Sequence, residues 1–152
     1  MSRAQNRVAV LHGVNFDVLE RRDPETYGGI SLAELEYRIG DWAHELGIEP
    51  TFYQTNSESE FCGYLHRLSE SADAAIINAG AWTHYSYAIG DAFAVDPVPA
   101  IEVHLSDVEN REDWRRVSVF EGLVESKVSG KGPEGYREAL GLIASSLGTS
   151  GD

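Results

Sequence analysis

Residues 101–106 read Ile101-Glu102-Val103-His104-Leu105-Ser106 and alternate strictly. On a strand, Ile101, Val103 and Leu105 face one side, and Glu102, His104 and Ser106 the other. Pro99, just before it, disfavours a helix. Alone, such a strand leaves its polar row in water. Here the surrounding chain alternates strand with helix, and parallel sheets built that way are covered on both faces. A polar row under cover needs partners or a task. His104 lies towards the carboxyl end, where open α/β sheets bind ligands. A Glu two residues earlier on the same face can hold the imidazole in one tautomer.

Working outward, Val8-Ala9-Val10-Leu11 is a short apolar run that reads as a buried strand ending at His12-Gly13-Val14-Asn15. Residues 15–30 form a long connection with the length of a lid or binding loop, and it carries Arg22 and Tyr27. Ser31 and Glu34 make a capping box for a helix whose apolar stripe is Leu32, Leu35, Ile39, Trp42, Ala43 and Leu46, with Gly47 as its stop. Thr51–Gln54 reads as a second strand. Ser57 and Glu60 open another helix, burying Phe61, Leu65 and Leu68. Ala74–Ile77 is a third strand that delivers Asn78, followed by the small-residue loop Ala79–His84 and a helix over 86–95 carrying Asp91. The strand quoted first is the fourth. Residues 107–117 hold a short helical turn with Arg111, Arg115 and Arg116. Residues 118–129 offer two candidates for a last strand, Val119-Phe120 and Val124–Val128, and the polarity of the second predicts an edge strand. Pro133 starts a final helix with Tyr136, Leu140, Ile143, Ala144 and Leu147 inward. The order predicts an α/β fold of three layers, a doubly wound parallel sheet of flavodoxin-like type with five strands in order 2-1-3-4-5. One catalytic domain is expected over 1–152, with frayed tails at 1–6 and 148–152.

A chain of 152 residues with 42% hydrophobic content can bury a sizeable core. No apolar run approaches a membrane span, and the opening residues have no apolar core of a signal peptide. One cysteine, Cys62, allows no internal disulfide, so a cytoplasmic location is expected. With 12 Lys and Arg against 25 Asp and Glu, the net charge of −13 repels polyanions and argues against nucleic-acid binding. Arginines gathered within so acidic a chain can still make a local anion pocket.

Several predicted strand ends deliver polar groups to one rim: Asn15, Asn78 with His84, and His104 with Ser106. That convergence is what a site needs. His104 with Glu102 is a candidate general acid. Tyr27, five residues after Arg22, is a candidate base if its phenol ionises, and by itself the pair reads equally as a ring packed over the sheet edge beside a solvated arginine. For an ordinary phenol of pKa about 10, ionisation costs roughly 4 kcal/mol at pH 7. One cation about 4 Å away returns roughly as much at an effective dielectric near 20. A metal bound by Glu102, His104, His84 and Asp91 is the competing reading, but the usual metal-ligand spacings are absent. His12, His44 and His66 read as surface or packing residues. Gly130-x-Gly132-x-x-Gly135 matches a dinucleotide fingerprint only formally, since no βαβ unit follows it.

Together, Gly13-Val14-Asn15, Arg21–Gly28, Asn78–His84, Ile101–Ser106, Arg111-Glu112 with Arg115, and Gly132–Tyr136 resemble the type II 3-dehydroquinate dehydratases, in the same order and over about 8–147. The resemblance implies an anti elimination of water from 3-dehydroquinate through an enolate. On it, Tyr27 is the base with Arg22 beside it, and Asn15 holds a water at the enolate oxygen. His104 protonates the departing hydroxyl while Glu102 orients it. Asn78, His84, Leu105, Ser106 and Arg115 bind substrate, and Asp91 reaches a neighbouring subunit's site. It further implies trimers assembling into a dodecamer, with neither metal nor other cofactor. The chain departs from the family pattern at His12, Val14, Gly90, Asp107, Glu109 and Val117, and in the polar stretch Glu125–Ser129. A relative acting on another cyclic polyol acid, or a non-catalytic flavodoxin-like binding module, are the alternatives.

Overall fold

The computed structural model describes residues 5–148. Five parallel strands form one sheet: β1 (Arg7–His12), β2 (Glu49–Gln54), β3 (Ala74–Asn78), β4 (Ala100–His104) and β5 (Ser126–Ser129), in spatial order β2-β1-β3-β4-β5. This is the predicted α/β, flavodoxin-like order, and β5 is an edge strand as expected. The helices are α1 (Pro24–Tyr27), α2 (Leu32–Glu45), α3 (Glu58–Leu65), α4 (Leu68–Ser71), α5 (Tyr87–Val95) and α6 (Glu134–Leu147).

Strand periodicity sorts the core into two layers. Val8, Val10, Ala74, Ile76, Ile101 and Val103 face Leu35, Ile39, Tyr136, Leu140 and Ile143 of α2 and α6. Ala9, Leu11, Ala75, Ile77 and Ala100 face Phe61, Leu65, Leu68, Ile89 and Phe93 of α3, α4 and α5. Fully burying one such side chain contributes about 1.5–3 kcal/mol, so the alternation fixes which face each strand end presents. Helix starts follow their caps: Ser31, Ser57 and Ser86 each accept from a backbone N–H in the first turn of α2, α3 and α5. At the opposite end of the sheet from the site, Arg7 doubly engages Asp73 and ties the start of β1 to the start of β3.

The structure amends three expectations. The connection after β1 is not a plain loop but a 3-10 segment, Phe16–Arg21, followed by the single turn α1. Phe16 and Leu19 are buried at i, i+3 spacing, and Pro24 opens α1. The helix after Ser57 is broken into α3 and α4 at His66–Arg67. Val119-Phe120 is not a strand, and Phe120 is instead buried edge-on against Phe93 of α5. Of the expected frayed tails, 1–4 and 149–152 lie outside the described residues. Asn6 donates to Gly47 O, and Gly148 closes the end of α6. Among the described residues no helix is long and apolar enough to cross a membrane.

Candidate active site

Parallel connections deliver the polar groups to the carboxyl rim of β1, β3 and β4. Two glycines let the first two loops interlock there. A Cβ on Gly13 would lie 2.2 Å from Ala79 O, and Gly80, at φ +65°, would press one to 2.9 Å from Val14 O. Only backbone can pass at such separations. The result places Asn15, itself left-handed at φ 73°, beside Asn78.

Those loops, with α1 and the two 3-10 turns Val108–Asn110 and Asp113–Arg116, enclose a cleft of about 480 Å³. Every sequence-predicted site residue lines it except Glu102 and Asp91. Glu102 stands behind His104. Asp91 lies on the exposed face of α5, outside this chain's own cleft.

On one side of the cleft is Tyr27. Arg22 Nη2 donates to its hydroxyl oxygen over 2.7 Å and Arg111 Nη1 over 3.0 Å. The Arg22 guanidinium also lies 3.9 Å from the ring centroid. Neither guanidinium can accept a hydrogen bond, so both direct charge-assisted donors at the phenol oxygen. Arg111 donates to Ser106 Oγ as well, at 3.1 Å.

On the sheet side, His104 Nε2 lies 2.5 Å from Glu102 Oε2, both residues being buried. Ser118 donates to the other carboxylate oxygen over 2.7 Å. Burial by itself would raise the Glu102 carboxyl. The hydrogen bond and charge of His104, the Ser118 donor and the charge of Lys127 outweigh it and hold the group below the usual carboxylate range. Glu102 is therefore an anion at neutral pH, and it fixes the imidazole through Nε2, leaving Nδ1 for a ligand.

His84 stacks 5.7 Å from His104, and its Nδ1 lies 2.7 Å from Val117 O. A carbonyl only accepts, so Nδ1 carries the proton and Nε2 is the acceptor. Burial lowers the His84 pKa, aided by the nearby charges of His104 and Arg115. It is thus a neutral imidazole at pH 7. Asn78 is fixed at both ends of its amide: Nδ2 donates to the Tyr136 hydroxyl and Oδ1 accepts from Gly80 N–H. Burial pushes the Tyr136 phenol far up, with Glu36 adding to it, so this tyrosine stays protonated and is no base.

Three arginines, Arg22, Arg111 and Arg115, border the cleft of a chain that has only 12 Lys and Arg in all. Glu112 pairs with Arg115 at 3.1 Å and approaches Arg111 at 3.7 Å, and three guanidiniums against that one carboxylate leave positive charge at the rim. With a neutral imidazole acceptor, a buried Asn amide and the Ser106 hydroxyl beside it, the cleft suits a small hydroxylated acid. Among the described residues no group of three or more His, Cys, Asp and Glu is placed to hold a metal ion. The candidate metal set is not assembled, because Asp91 lies elsewhere and Glu102 Oε2 is engaged with His104.

The family model for class II dehydroquinases matches residues 6–144. The chain belongs to the class II dehydroquinase family. A 3-dehydroquinate dehydratase of Syntrophotalea carbinolica is 47% identical over 141 residues, covering 92% of this chain and 94% of that protein. One from Pelotomaculum thermopropionicum is 43% identical over 143 residues, covering 94% and 99%. The crystal structure of the type II dehydroquinase from Propionibacterium acnes superposes with a TM-score of 0.87 at 35% identity, covering 95% of this chain and 99% of that one.

Within this class II dehydroquinase, one residue of the cleft and one that supports it have no role assigned from sequence. Arg111 belongs to the segments that carry the resemblance but has no role assigned from sequence, and it bridges Tyr27 and Ser106. Asn56 holds the first loop in place: its Oδ1 accepts from Asn15 N–H at 2.8 Å, and its Nδ2 donates to Asp17. The contacts of Arg111 with Tyr27 and of Asn56 with Asn15 have no local signal, because they span 84 and 41 residues. His12 is a packing residue, as expected. It is fully buried, stacked on Phe52 beside Phe16, with Nε2 3.2 Å from a Glu36 carboxylate oxygen.

Proposed function

We propose that the protein dehydrates 3-dehydroquinate to 3-dehydroshikimate by anti elimination through an enolate. The observation that carries the reading is the pairing in one cleft of a phenol oxygen held by two guanidiniums with an imidazole held by a buried carboxylate. These are the solvation a phenolate base needs and the anchoring a general acid needs.

In this reading Tyr27 takes the proton beside the ketone, and Arg22 and Arg111 stabilise its anion. The enolate oxygen gathers charge near Asn15, which holds a water against it. Collapse of the enolate expels the hydroxyl, and His104 Nδ1 gives it a proton so that it leaves as water. Glu102 offsets the charge of the imidazolium that this step requires. Arg115 takes the substrate carboxylate, while Asn78, His84, Ser106 and the rim of Leu105 hold the ring hydroxyls. No metal or other cofactor is needed for a proton beside a ketone, whose acidity the carbonyl itself supplies. Asp91 completes the cleft of a neighbouring subunit in a cytoplasmic assembly of trimers forming a dodecamer. Supporting this last point, Tyr87 and Val95 stand 74% and 66% exposed on the same helix as Asp91, an apolar surface of the kind that subunits cover.

The test is direct. Purified protein mixed with 3-dehydroquinate should generate the ultraviolet absorbance of the conjugated enone product. Folded protein with no such absorbance overturns the proposal. Turnover of a different cyclic polyol acid in its place would mark a retuned relative.

A further inference from the structure

The strap Val117–Phe120, between the last 3-10 turn and β5, contacts both imidazoles of the cleft or their supports. Val117 O accepts from His84 Nδ1 at 2.7 Å. Val119 N–H donates to Thr83 O at 2.8 Å, next to His84. Ser118 Oγ lies 2.7 Å from Glu102 Oε1. Phe120 N–H donates to that same Ser118 oxygen at 3.1 Å. An amide donor on the hydroxyl oxygen leaves its single proton for the carboxylate, so the polarity of the link is set. The strap is also seated firmly. Phe120 is fully buried against Phe93, and on α5 a Cβ at Gly90 would lie 2.8 Å from Val119 O. The absence of a side chain at position 90 is what lets the strap lie this close to the helix.

We propose that Ser118 is a positioning residue for the reaction: its hydroxyl locks the Glu102 carboxylate so that Oε2 meets His104 Nε2. Glu102 has somewhere else to turn. A second cavity, whose charged and hydroxyl lining is Glu102, Arg116, Ser118, Glu121, Ser126 and Lys127, borders the carboxylate. Lys127 and Arg116 are held by Glu109 and Asp113, so without the Ser118 proton it is water in this cavity that competes with His104 for the carboxylate. The chain Ser118→Glu102→His104 thus fixes the orientation of the ring that donates the proton. This rests on the reading that His104 is the acid.

The experiment compares full-length wild type with Ser118→Ala, Ser118→Thr and Ser118→Cys. In Ser118→Ala, kcat should fall about 10-fold, the worth of one net hydrogen bond, with KM for 3-dehydroquinate little changed. The acidic limb of kcat against pH should move to higher pH, because one donor that keeps Glu102 ionised is gone. Ser118→Thr, which keeps the hydroxyl, should restore both. Ser118→Cys, nearly the same size but a weak donor, should behave as Ala does, and it carries the test if Ser118→Ala does not fold. In the free protein, the ring-proton NMR signal of the Glu102–His104 bond should shift in Ser118→Ala and stay in Ser118→Thr. Unchanged kcat and ring signal in Ser118→Ala overturn the proposal. So does a loss of activity with the acidic limb unmoved and no rescue by Thr, which marks a purely structural residue. Absence of turnover by the wild type would refute the proposed reaction instead, and the NMR comparison would still decide the role of Ser118.

Discussion

Arg111 Nη1 lies 3.0 Å from the Tyr27 hydroxyl across 84 residues of sequence. The contact joins the turn after β4 to α1, and Arg22 adds a second donor from within five residues. A hydrogen bond to a charged group contributes about 1.5–3 kcal/mol. Arg111→Ala should therefore cut kcat about 10- to 100-fold and raise KM, since Ser106 loses its partner too. Arg111→Lys should recover part of kcat, because an ammonium supplies the charge and enough protons for both oxygens, but its side chain is one atom shorter than the path to Nη1. Steady-state kinetics on the three proteins decide it, and equal kcat in all would remove Arg111 from the site.

Tyr27→Phe deletes the oxygen that both arginines address and leaves the ring. Loss of a general base typically lowers the rate by about 10²–10⁴-fold. The ring is only half-buried at the end of α1, so stability should change little and the far-ultraviolet spectrum should match wild type. Normal turnover by Tyr27→Phe would show that another group takes the proton.

Gly13→Ala tests how the rim is built. Its methyl group would sit 2.2 Å from Ala79 O, an atom of the backbone that cannot rotate aside. Separating the β1 and β3 loops should cost about 3 kcal/mol and lower Tm by about 10 °C for a chain of this size. It should also lower kcat, since Asn15 and Asn78 ride on those loops. Calorimetry and kinetics on the same sample measure both effects.

Much of the fold could be read from period and punctuation. Val8–Leu11 and Ala74–Ile77 are apolar runs, the two serine caps mark helix starts, and residues 101–106 alternate, so strand order and core faces follow from sequence alone. Where reading failed, the cause was tertiary. The 3-10 segment Phe16–Arg21 is too short to stabilise itself, and it forms because Phe16 and Leu19 bury beneath α2 and α6. Val119-Phe120 has the composition of a strand, but Phe93 offered its phenyl ring a better seat than the sheet edge did. Strand ends pointed to Asn78 and His104, which both line the cleft, because position at the carboxyl rim is a local property. Asn56 and Ser118, and the role of Arg111, became visible only through the atoms they touch, which no spacing along the chain encodes.

Acid should weaken the fold in part through His84. Its folded pKa is lowered, chiefly by burial with His104 and Arg115 adding to it, against the opposing pull of the Val117 carbonyl and Glu102. Below the unfolded value of about 6.5, the unfolded chain takes up this proton more readily than the native one. The contribution is present above that pH and is lost as pH falls through it towards the folded pKa. His84→Gln keeps a side-chain donor for Val117 O but cannot titrate. Urea unfolding at a series of pH values from about 7 to 5 should therefore show wild type losing stability faster than His84→Gln. Parallel curves would mean that His84 protonates equally well in both states.

Glu102→Gln separates the charge of the orienting group from its shape. The carboxylate accepts from His104 with one oxygen and from Ser118 with the other. An amide fills the same volume but offers one acceptor and one donor. If its oxygen meets Ser118, its NH₂ faces His104 Nε2, the imidazole must accept there, and the tautomer reverses. If its oxygen meets His104, the Ser118 proton faces a donor. Either way the anion that offsets an imidazolium is gone. We expect kcat to fall about 10²–10³-fold with KM within a few-fold, because Glu102 stands behind His104 and does not line the cleft. Glu102 is only 2% exposed, so stability is the second readout. Its native pKa is depressed, so the wild-type carboxylate stabilises the fold above its unfolded pKa of about 4.3, and that stabilisation fades as pH falls through the native value. The stability gap between wild type and Glu102→Gln should accordingly be widest near neutrality and narrow below about pH 4. A variant with wild-type kcat would detach Glu102 from the proton transfer, whatever its effect on unfolding.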